Sequence, residues 1–522
     1  MESKKYSRAA FVSHRYNCSN LLESRRARLG DKTALVFEDR AWTWNRFSEA
    51  VERFALYFQS KGISRGDRVA LIATNSDTYA ISFLAIARLS AAAVTINCEL
   101  SSREILEILD KVRPKLILCS QDRLDKLNQP EAILMDSSDS KIPDLWKLSE
   151  QVTGNLPAEP DPESTCLIMF TSGTTGFPKG VMHSQRNFVL SGEGFIQRMD
   201  LSHKERMLCV LPLFHINALF YSFAGALVSG ATIIFERRFS ASRFWETVAK
   251  TRASQVNLIA AAGNILLRRN RSEFVASHAL SKIYLSPLTP ALYAGFQAEF
   301  KVPCLREGYG LTEAPGVTNQ PIDEPPKIGS IGRISLHPDD MHPLAELKIV
   351  DSVGEPVADG DAGELLVRSP ILMQGYFEDQ DATQAVMQNG WFRTEDLVRR
   401  NDKGDFFFIE RIKDIIRRRG ENISGAELDV VISGHPNISQ VAVVATPSTL
   451  GEDEILAAIV LSGELSALDF KEWCISALPA NKRPRFVAFC QDLPRTPTEK
   501  IEKYKIRRNP DFHKKAIDLL KI

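Results

Sequence analysis

The sequence has no excess of charge of either sign: Lys plus Arg and Asp plus Glu both number 65, for a formal net charge of zero. A broad basic face for nucleic acid or anionic lipid is therefore excluded, and any basic site has to be local. Cysteine is sparse. The eight residues Cys18, Cys98, Cys119, Cys166, Cys209, Cys304, Cys474 and Cys490 include no Cys-x-x-Cys pair and no histidine at metal-ligand spacing. That pattern excludes a disulfide framework and a structural zinc site, and reads as buried thiols in a reducing compartment. The opening stretch MESKKYSRAAFVSHRYNCSN has no apolar run of the length a secretory signal needs, so a cytoplasmic protein is expected. Internal repeats and long low-complexity segments are absent too. One uncharged stretch, 208–235, is long enough to span a bilayer. Pro212, His215, Asn217, Gly225 and Gly230 divide it into strand, loop, buried helix and strand, so no membrane span is expected.

What is present is a chain of 522 residues, 44% hydrophobic, long enough to bury a large core and to form at least two domains. From about residue 40 short apolar runs alternate with helix-length segments: VALIA (69–73), a turn at Asn75 and Ser76, an apolar segment to Leu89, then AVTIN. Next comes SSREILEILDKV, in which Ser101 and Glu104 form a capping box, followed by KLILCS. Fully apolar strands alternating with helices predict parallel sheets covered on both faces. The rhythm resumes at CLIMF (166–170) and runs through ATIIF, QVNLIA and SKIYL to about residue 310. After 320 the texture becomes hairpin-like, with turns at Val353-Gly354 and Lys403-Gly404, which predicts a smaller β-rich subdomain. The last hundred or so residues hold enough helices and strands for an α+β domain. The expected fold class is α/β, with an N-terminal domain over 1–411 and a C-terminal domain over 412–522.

The strand CLIMF runs into TSGTTGFPKG (171–180). Gly173 and Gly176 permit close backbone approach, the hydroxyls of Thr171, Ser172, Thr174 and Thr175 are donors for phosphate oxygens, and Lys179 adds a point charge. The spacing is not that of a nucleotide-triphosphatase loop, and Gly180 stands where a magnesium-binding Ser or Thr would follow the lysine. Alone, the loop also reads as a flexible turn. A second loop, REGYGLTEA (306–314), sets Tyr309 between Gly308 and Gly310, after Glu307 and ahead of Thr312 and Glu313. Such a loop has an aromatic face for an adenine, a hydroxyl for the α-phosphate, and a carboxylate as a hard oxygen ligand for Mg²⁺. Downstream, Asp396 in GWFRTEDL and Arg411 in IERIKD are of the kinds that hydrogen-bond ribose hydroxyls. Lys500 follows a Pro-rich turn near the C-terminus.

In this order and at these separations the pieces resemble the adenylate-forming superfamily of acyl-CoA synthetases, firefly-type luciferases and peptide-synthetase adenylation domains, from about residue 20 to about 510. The resemblance implies an ATP-dependent acyl-CoA ligase with layered sheets and helices in a large N-terminal domain, a mobile C-terminal domain, and an active site between them. A substrate carboxylate would attack the α-phosphate of ATP, expelling pyrophosphate and giving an acyl-adenylate. Gly173, Thr174 and Lys179 would manage the departing phosphates, Glu313 would hold Mg²⁺, and Lys500 would stabilise charge at the carboxylate and α-phosphate. The small domain would then turn about Lys413 and admit the pantetheine thiol of coenzyme A, which displaces AMP. His215 in LPLFHIN matches the gate of the acyl pocket in relatives; a buried core histidine is the other reading.

Several positions depart from the family pattern. Glu395 replaces the glycine of the common TGD, beside Asp396. Glu499 replaces the glycine before Lys500 and sets a carboxylate beside the ammonium. In IIRRRGENIS the glycine pair of the pantetheine channel is reduced to Arg419-Gly420, where Arg419 either narrows the channel, binds a CoA phosphate, or belongs to a solvated basic hairpin. Tyr284 and Leu285 replace another glycine pair at the acyl pocket; with FSASRFWETV (239–248), this resembles the crotonobetaine/carnitine-CoA ligase branch. Small residues, Ala260, Ala261, Ala262 and Gly316, are expected to line the acyl pocket and to leave volume for a bulky or branched acid, although they also suit plain helix packing. Two other readings stand beside the ligase: an adenylation enzyme that loads a carrier-protein pantetheine, and a non-catalytic nucleotide- or acyl-binding relic, against which Lys500, Glu313 and Lys179 count.

Overall fold

Alternation along the strands builds the layers. In Arg68–Ile72, Val69 and Leu71 face one core while Ala70 and Ile72 face another, and all four are buried. In Arg206–Cys209, Met207 and Cys209 join the first of these cores while Leu208 joins a third. Successive side chains on a strand point to opposite faces, so a run of apolar residues without polar interruption requires cover on both sides. The result is two sheets sharing a middle layer of helices, with further helices outside each.

The structure is a computed structural model and describes residues 15–127, 129, 131–137, 143–171, 178–338, 342–418, 421–447, 453–495 and 501–522. The chain divides into two compact units, one formed by the residues up to Leu347 with Val367–Phe392, the other by Lys348–Leu366 with Arg393–Ile522.

The first unit holds two seven-stranded sheets. In one, Thr165–Thr171, Ala92–Thr95, Arg68–Ile72, Leu116–Cys119 and Ile133–Leu134 run parallel, and Lys179–Ser184 and Gly375–Tyr376 are added antiparallel at one edge. The other is parallel from Cys304–Arg306 through Lys282–Ser286, Gln255–Ile259, Arg206–Cys209 and Thr232–Phe235 to Thr33–Phe37, and ends on antiparallel Arg40–Thr43. Helix starts follow their sequence signals. Ser101 and Glu104 form the expected capping box, and Ser76 and Ser184 each accept a hydrogen bond from the third residue on.

The uncharged stretch 208–235 resolves into the end of one strand, a π-helix Asn217–Phe223 continuing as the α-helix Ala224–Ser229, and the strand Thr232–Phe235. Among the described residues no helix is long and apolar enough to cross a membrane. All eight cysteines are free thiols, six of them buried and Cys304 and Cys490 half-buried.

The second unit is α+β. A four-stranded sheet of Ile438–Pro447, Asp453–Leu461, Phe486–Cys490 and Ile517–Asp518 packs with the helices Gly425–Ile432 and Ala467–Ala477. Residues 396–400 pair antiparallel with 406–411 in the same unit.

Candidate active site

The phosphate-loop candidate is the tip of a hairpin. Phe170 pairs with Gly180 and Thr171 with Lys179 across the antiparallel strands, and the Thr171 hydroxyl donates to the Lys179 carbonyl at 3.5 Å. A strand, not a helix, follows the loop, so no helix N-terminus is available there; any grip on phosphate comes from the loop itself and Lys179. Ser172, Gly173, Thr174 and Thr175 lie outside the described residues.

Lys179 is carried to a tyrosine that sequence reasoning missed. Its Nζ sits 4.8 Å from the centroid of the Tyr376 ring. The same Tyr376 donates its hydroxyl to Glu313 Oε1 at 2.9 Å. One aromatic side chain therefore touches the lysine of the first loop and the carboxylate of the second. The Met373 amide donates to the Glu313 carbonyl at 2.8 Å, which ties the segment bearing Tyr376 to the second loop. The signal available in the sequence was an aromatic after Gly375, whose φ of 136° lies in the region glycine favours, but nothing local pairs that tyrosine with Glu313.

His183 is the other missed residue. It is fully buried, Nε2 lies 2.7 Å from the Thr312 carbonyl, and Nδ1 lies 3.0 Å from Asn187 Nδ2. A carbonyl can only accept and an amide nitrogen can only donate, so His183 is neutral with its proton on Nε2. Burial pushes its pKa down to about 4, which keeps it a fixed donor at neutral pH. Asn187 Nδ2 also donates to the Leu372 carbonyl at 2.8 Å. This chain of bonds positions Thr312 and the segment leading to Tyr376 from one helix start.

In the second loop Tyr309 is buried between Gly308 and Gly310. Each glycine is needed for close approach: a Cβ at Gly308 would fall 2.4 Å from the Thr318 carbonyl oxygen, and one at Gly310 2.6 Å from the Gly316 nitrogen. The Glu307 carboxylate accepts from the Leu288 amide at 2.9 Å and from the Ser286 hydroxyl at 3.3 Å. Desolvation dominates over those bonds and raises its pKa from 4.5 to about 7. An unfolded chain loses this proton near 4.5 and the native protein near 7, so between these values the native state binds the extra proton. Stability from this group is complete below pH 4.5, falls as pH rises to about 7, and is flat above. The rise corresponds to about 3 kcal/mol. Glu307→Gln, which stays neutral, is expected to match the wild type near pH 4 and to exceed it at pH 8 by an amount of that order. Thermal unfolding of the nucleotide-free protein over this range checks it; a difference that does not grow with pH would remove desolvation as the controlling force.

The acyl-pocket candidates divide by face. His215 is half-buried where the π-helix begins, edge-on to Phe214 with ring centroids 4.7 Å apart, and its carbonyl accepts from Leu219 N at 3.1 Å. Tyr221, on that π-helix, packs edge-on against Tyr284 at 5.9 Å and hydrogen-bonds the Gly316 amide at 2.8 Å. Tyr284 and Gly316 thus belong to one wall. Leu285 points to the opposite face of the strand Lys282–Ser286 and is fully buried with Leu292 and Phe296 in the outer core. Ala262 is buried in that same core, while Ala260 and Ala261 are half-buried at the start of the helix Ala260–Arg268.

In the second unit, Asp396 is 1% exposed and pairs in register with Arg411, whose Nε lies 3.4 Å from Asp396 Oδ1. Glu395 adopts φ +56°, the left-handed conformation in which a glycine is at ease and a side chain costs about 1–2 kcal/mol. Neighbouring bonds hold it there: the Thr394 hydroxyl donates to the Leu365 carbonyl at 2.8 Å and accepts from the Asp396 amide at 3.1 Å. Lys413 lies in the 3₁₀ turn Ile412–Asp414, its Nζ 3.8 Å from Glu395 Oε2. Burial, and then Arg411, lower its pKa against the opposing pull of Glu395. Lys500, Arg419 and Gly420 lie outside the described residues.

Residues 22–377 match the model of the AMP-binding enzymes, and residues 427–500 match that of the AMP-binding enzyme C-terminal domain. The chain belongs to the AMP-binding enzyme family. The long-chain-fatty-acid–CoA ligase of Mycobacterium tuberculosis is 31% identical over 488 residues, covering 90% of this chain and 93% of that one. The crotonobetaine/carnitine–CoA ligase of Salmonella agona is 29% identical over 507 residues, covering 92% and 96%. Among solved structures, the O-succinylbenzoate–coenzyme A synthetase of Bacillus subtilis, in complex with ATP and magnesium ion, superposes with a TM-score of 0.81 at 25% identity, covering 92% of this chain and 98% of its own. This protein is an acyl-CoA ligase of the adenylate-forming type, an AMP-forming acid–thiol ligase.

Proposed function

We propose that the ligase activates a compact carboxylic acid as its acyl-adenylate and transfers the acyl group to coenzyme A, with the roles divided as follows. The hairpin loop, through Thr171, Ser172, Gly173, Thr174, Thr175 and Lys179, holds the phosphates that leave as pyrophosphate. Tyr309 gives its face to the adenine between Gly308 and Gly310, with Glu307 bracing the loop from beneath, and Thr312 hydrogen-bonds the α-phosphate. Asp396 and Arg411 hold the ribose hydroxyls. Lys500 carries positive charge to the carboxylate and α-phosphate where negative charge develops. Lys413 is the hinge, the domain boundary falls at 411–412, and His215 gates the acyl pocket. Arg419 and Gly420 border the path of the thiol.

The observation that carries this reading is the Tyr376 contact with both Lys179 and Glu313, because it brings the two phosphate-directed loops to one place in the folded chain. Glu313 is half-buried, and one of its oxygens accepts from Tyr376, so its remaining lone pairs suit Mg²⁺, which typically takes one or two carboxylates plus the substrate's own phosphates. When bound, Mg²⁺ would neutralise phosphate charge. The protein's part is positioning and electrostatics: His183 fixes Thr312, and Tyr376 spaces Lys179 from Glu313.

The wall around Tyr284 bears on the choice of acid. This side chain fills space that a glycine would leave open, which favours a compact acyl group over a long chain. A trimethylammonium acid such as carnitine, named for one relative, is disfavoured because the guanidinium of Arg198 already lies over the face of Tyr221, 5.1 Å from its centroid. Two cations would then compete for one aromatic wall. The experiment is a panel of carboxylic acids scored for ATP-dependent AMP release, with and without coenzyme A. Acid-dependent AMP that rises with coenzyme A is expected. ADP as product, or AMP release indifferent to the acid, would overturn the reading, and turnover with a pantetheine-bearing carrier protein but not with coenzyme A would reassign the acceptor.

A further inference from the structure

Arg198 lies in the helix Gln185–Met199 and is 1% exposed, one of the largest fully buried side chains. A buried guanidinium stays charged and ordinarily meets a carboxylate. This one does not. Its Nη2 donates to the Gly316 carbonyl at 2.7 Å, its carbon lies over the Tyr221 ring, and the hydroxyls of Tyr221 and Tyr284 are within hydrogen-bonding reach. Burial raises the pKa of both phenols, so neither supplies a negative charge. The acid on the same helix, Glu193, is engaged elsewhere, by His337 Nε2 at 2.9 Å. Nε and Nη1 of Arg198 find no hydrogen-bond partner among the described residues.

The surrounding wall is shaped for this group. Gly316 has φ +64°, and a Cβ there would fall 1.6 Å from Nη2, so any side chain at 316 would displace the guanidinium. Gly310, in the loop assigned to the adenine, lies against the same Tyr221 hydroxyl, 2.9 Å from where its Cβ would stand. The uncompensated cation is thus placed beside the nucleotide loop and against the residues assigned to the acyl pocket. A structural arginine stacked on tyrosine accounts for the cation–π contact, the bond to Gly316 and the phenol hydroxyls nearby, but among the described residues it leaves the buried charge without an anion, a costly arrangement.

We infer that Arg198 is the anchor for a second acidic group on the substrate, so that the ligase activates one carboxylate of a compact diacid, or of a carboxylic acid bearing a sulfonate or phosphonate, while Arg198 holds the other anion. The inference rests on the acyl-site reading above. Nε and Nη1 each offer a donor, on different edges of the guanidinium, and the ion pair forms in a site shielded from water. The distal anion takes no part in bond making; ATP, the reacting carboxylate and the thiol balance the reaction as before.

The test uses the full-length protein and pairs of acids of equal length, malonate with propionate, succinate with butyrate, glutarate with valerate, and phthalate with benzoate. Each is scored for AMP release as kcat/KM and, separately, for the shift in Tm at fixed ATP analogue. In the wild type at least one diacid is expected to exceed its monoacid partner by about tenfold or more in both readouts, the scale of one buried charged hydrogen-bond pair. Arg198→Met is expected to bring the ratio close to one, and Arg198→Lys to leave it in between. A wild type without preference for any diacid, or a preference that survives Arg198→Met, overturns the inference; a merely structural arginine would lower both members of a pair alike. If Arg198→Met does not fold, the wild-type ratios and Arg198→Lys decide. If no acid yields AMP, the ligase reading fails on its own assay, and the Tm ladder alone decides whether Arg198 selects diacids.

Discussion

Lys500→Ala is expected to lower acyl-adenylate formation by about 10²-fold or more, the cost of removing one preorganised group from a centre where charge develops. As the carboxylate oxygen approaches the α-phosphate, two anions are brought together and negative charge builds on the phosphoryl oxygens and the departing pyrophosphate; a lysine is a compact point charge that can meet both reacting groups at once. Glu499 precedes Lys500 in the chain. The measurement is acid-dependent exchange between ATP and pyrophosphate, alongside thioester formation from a synthetic acyl-adenylate. Loss of the first with the second retained is the expected result. Unchanged exchange would remove Lys500 from the adenylation step.

Lys413→Pro is expected to leave adenylation near the wild-type rate and to depress thioester formation by an amount on the order of 10²-fold, the scale on which a misplaced reacting group loses rate. Proline fixes φ near the range of a 3₁₀ turn, and Lys413 occupies such a turn between Ile412 and Asp414. The arrangement seen is therefore tolerated, while a large backbone rotation at 413 is blocked. Lys413→Ala separates backbone from side chain. It gives up only the 3.8 Å contact with half-exposed Glu395, a pair worth little after solvent screening, and should retain both half-reactions. The Lys413 carbonyl accepts from Arg507 Nη1 at 2.7 Å, a bond that both variants keep. If both half-reactions survive equally in the proline variant, the hinge lies elsewhere.

Much of the architecture was legible because it depends on local periodicity. Apolar strands without polar alternation require cover on both faces, and Val69 to Ile72 and Met207 to Cys209 supply that pattern within four and three residues. Ser101 and Glu104 cap their helix through atoms three residues apart. Reading Tyr284 and Leu285 as one replaced pair hid their strand geometry, which sends them to different cores.

The sequence by itself determined the layered α/β class, the family and the residues that bring chemistry in their own loops, because each of these is set by neighbours along the chain. Only the tertiary structure decided which of those residues meet. Tyr376 reaches Glu313 across 63 residues, His183 reaches Thr312 across 129, and Arg198 reaches Gly316 across 118. Such contacts are chosen by the packing of one layer on another, where a buried polar group must take whatever partner the fold brings within reach. Arg198, a buried cation that meets no carboxylate among the described residues, is where that choice led to the proposed substrate anchor.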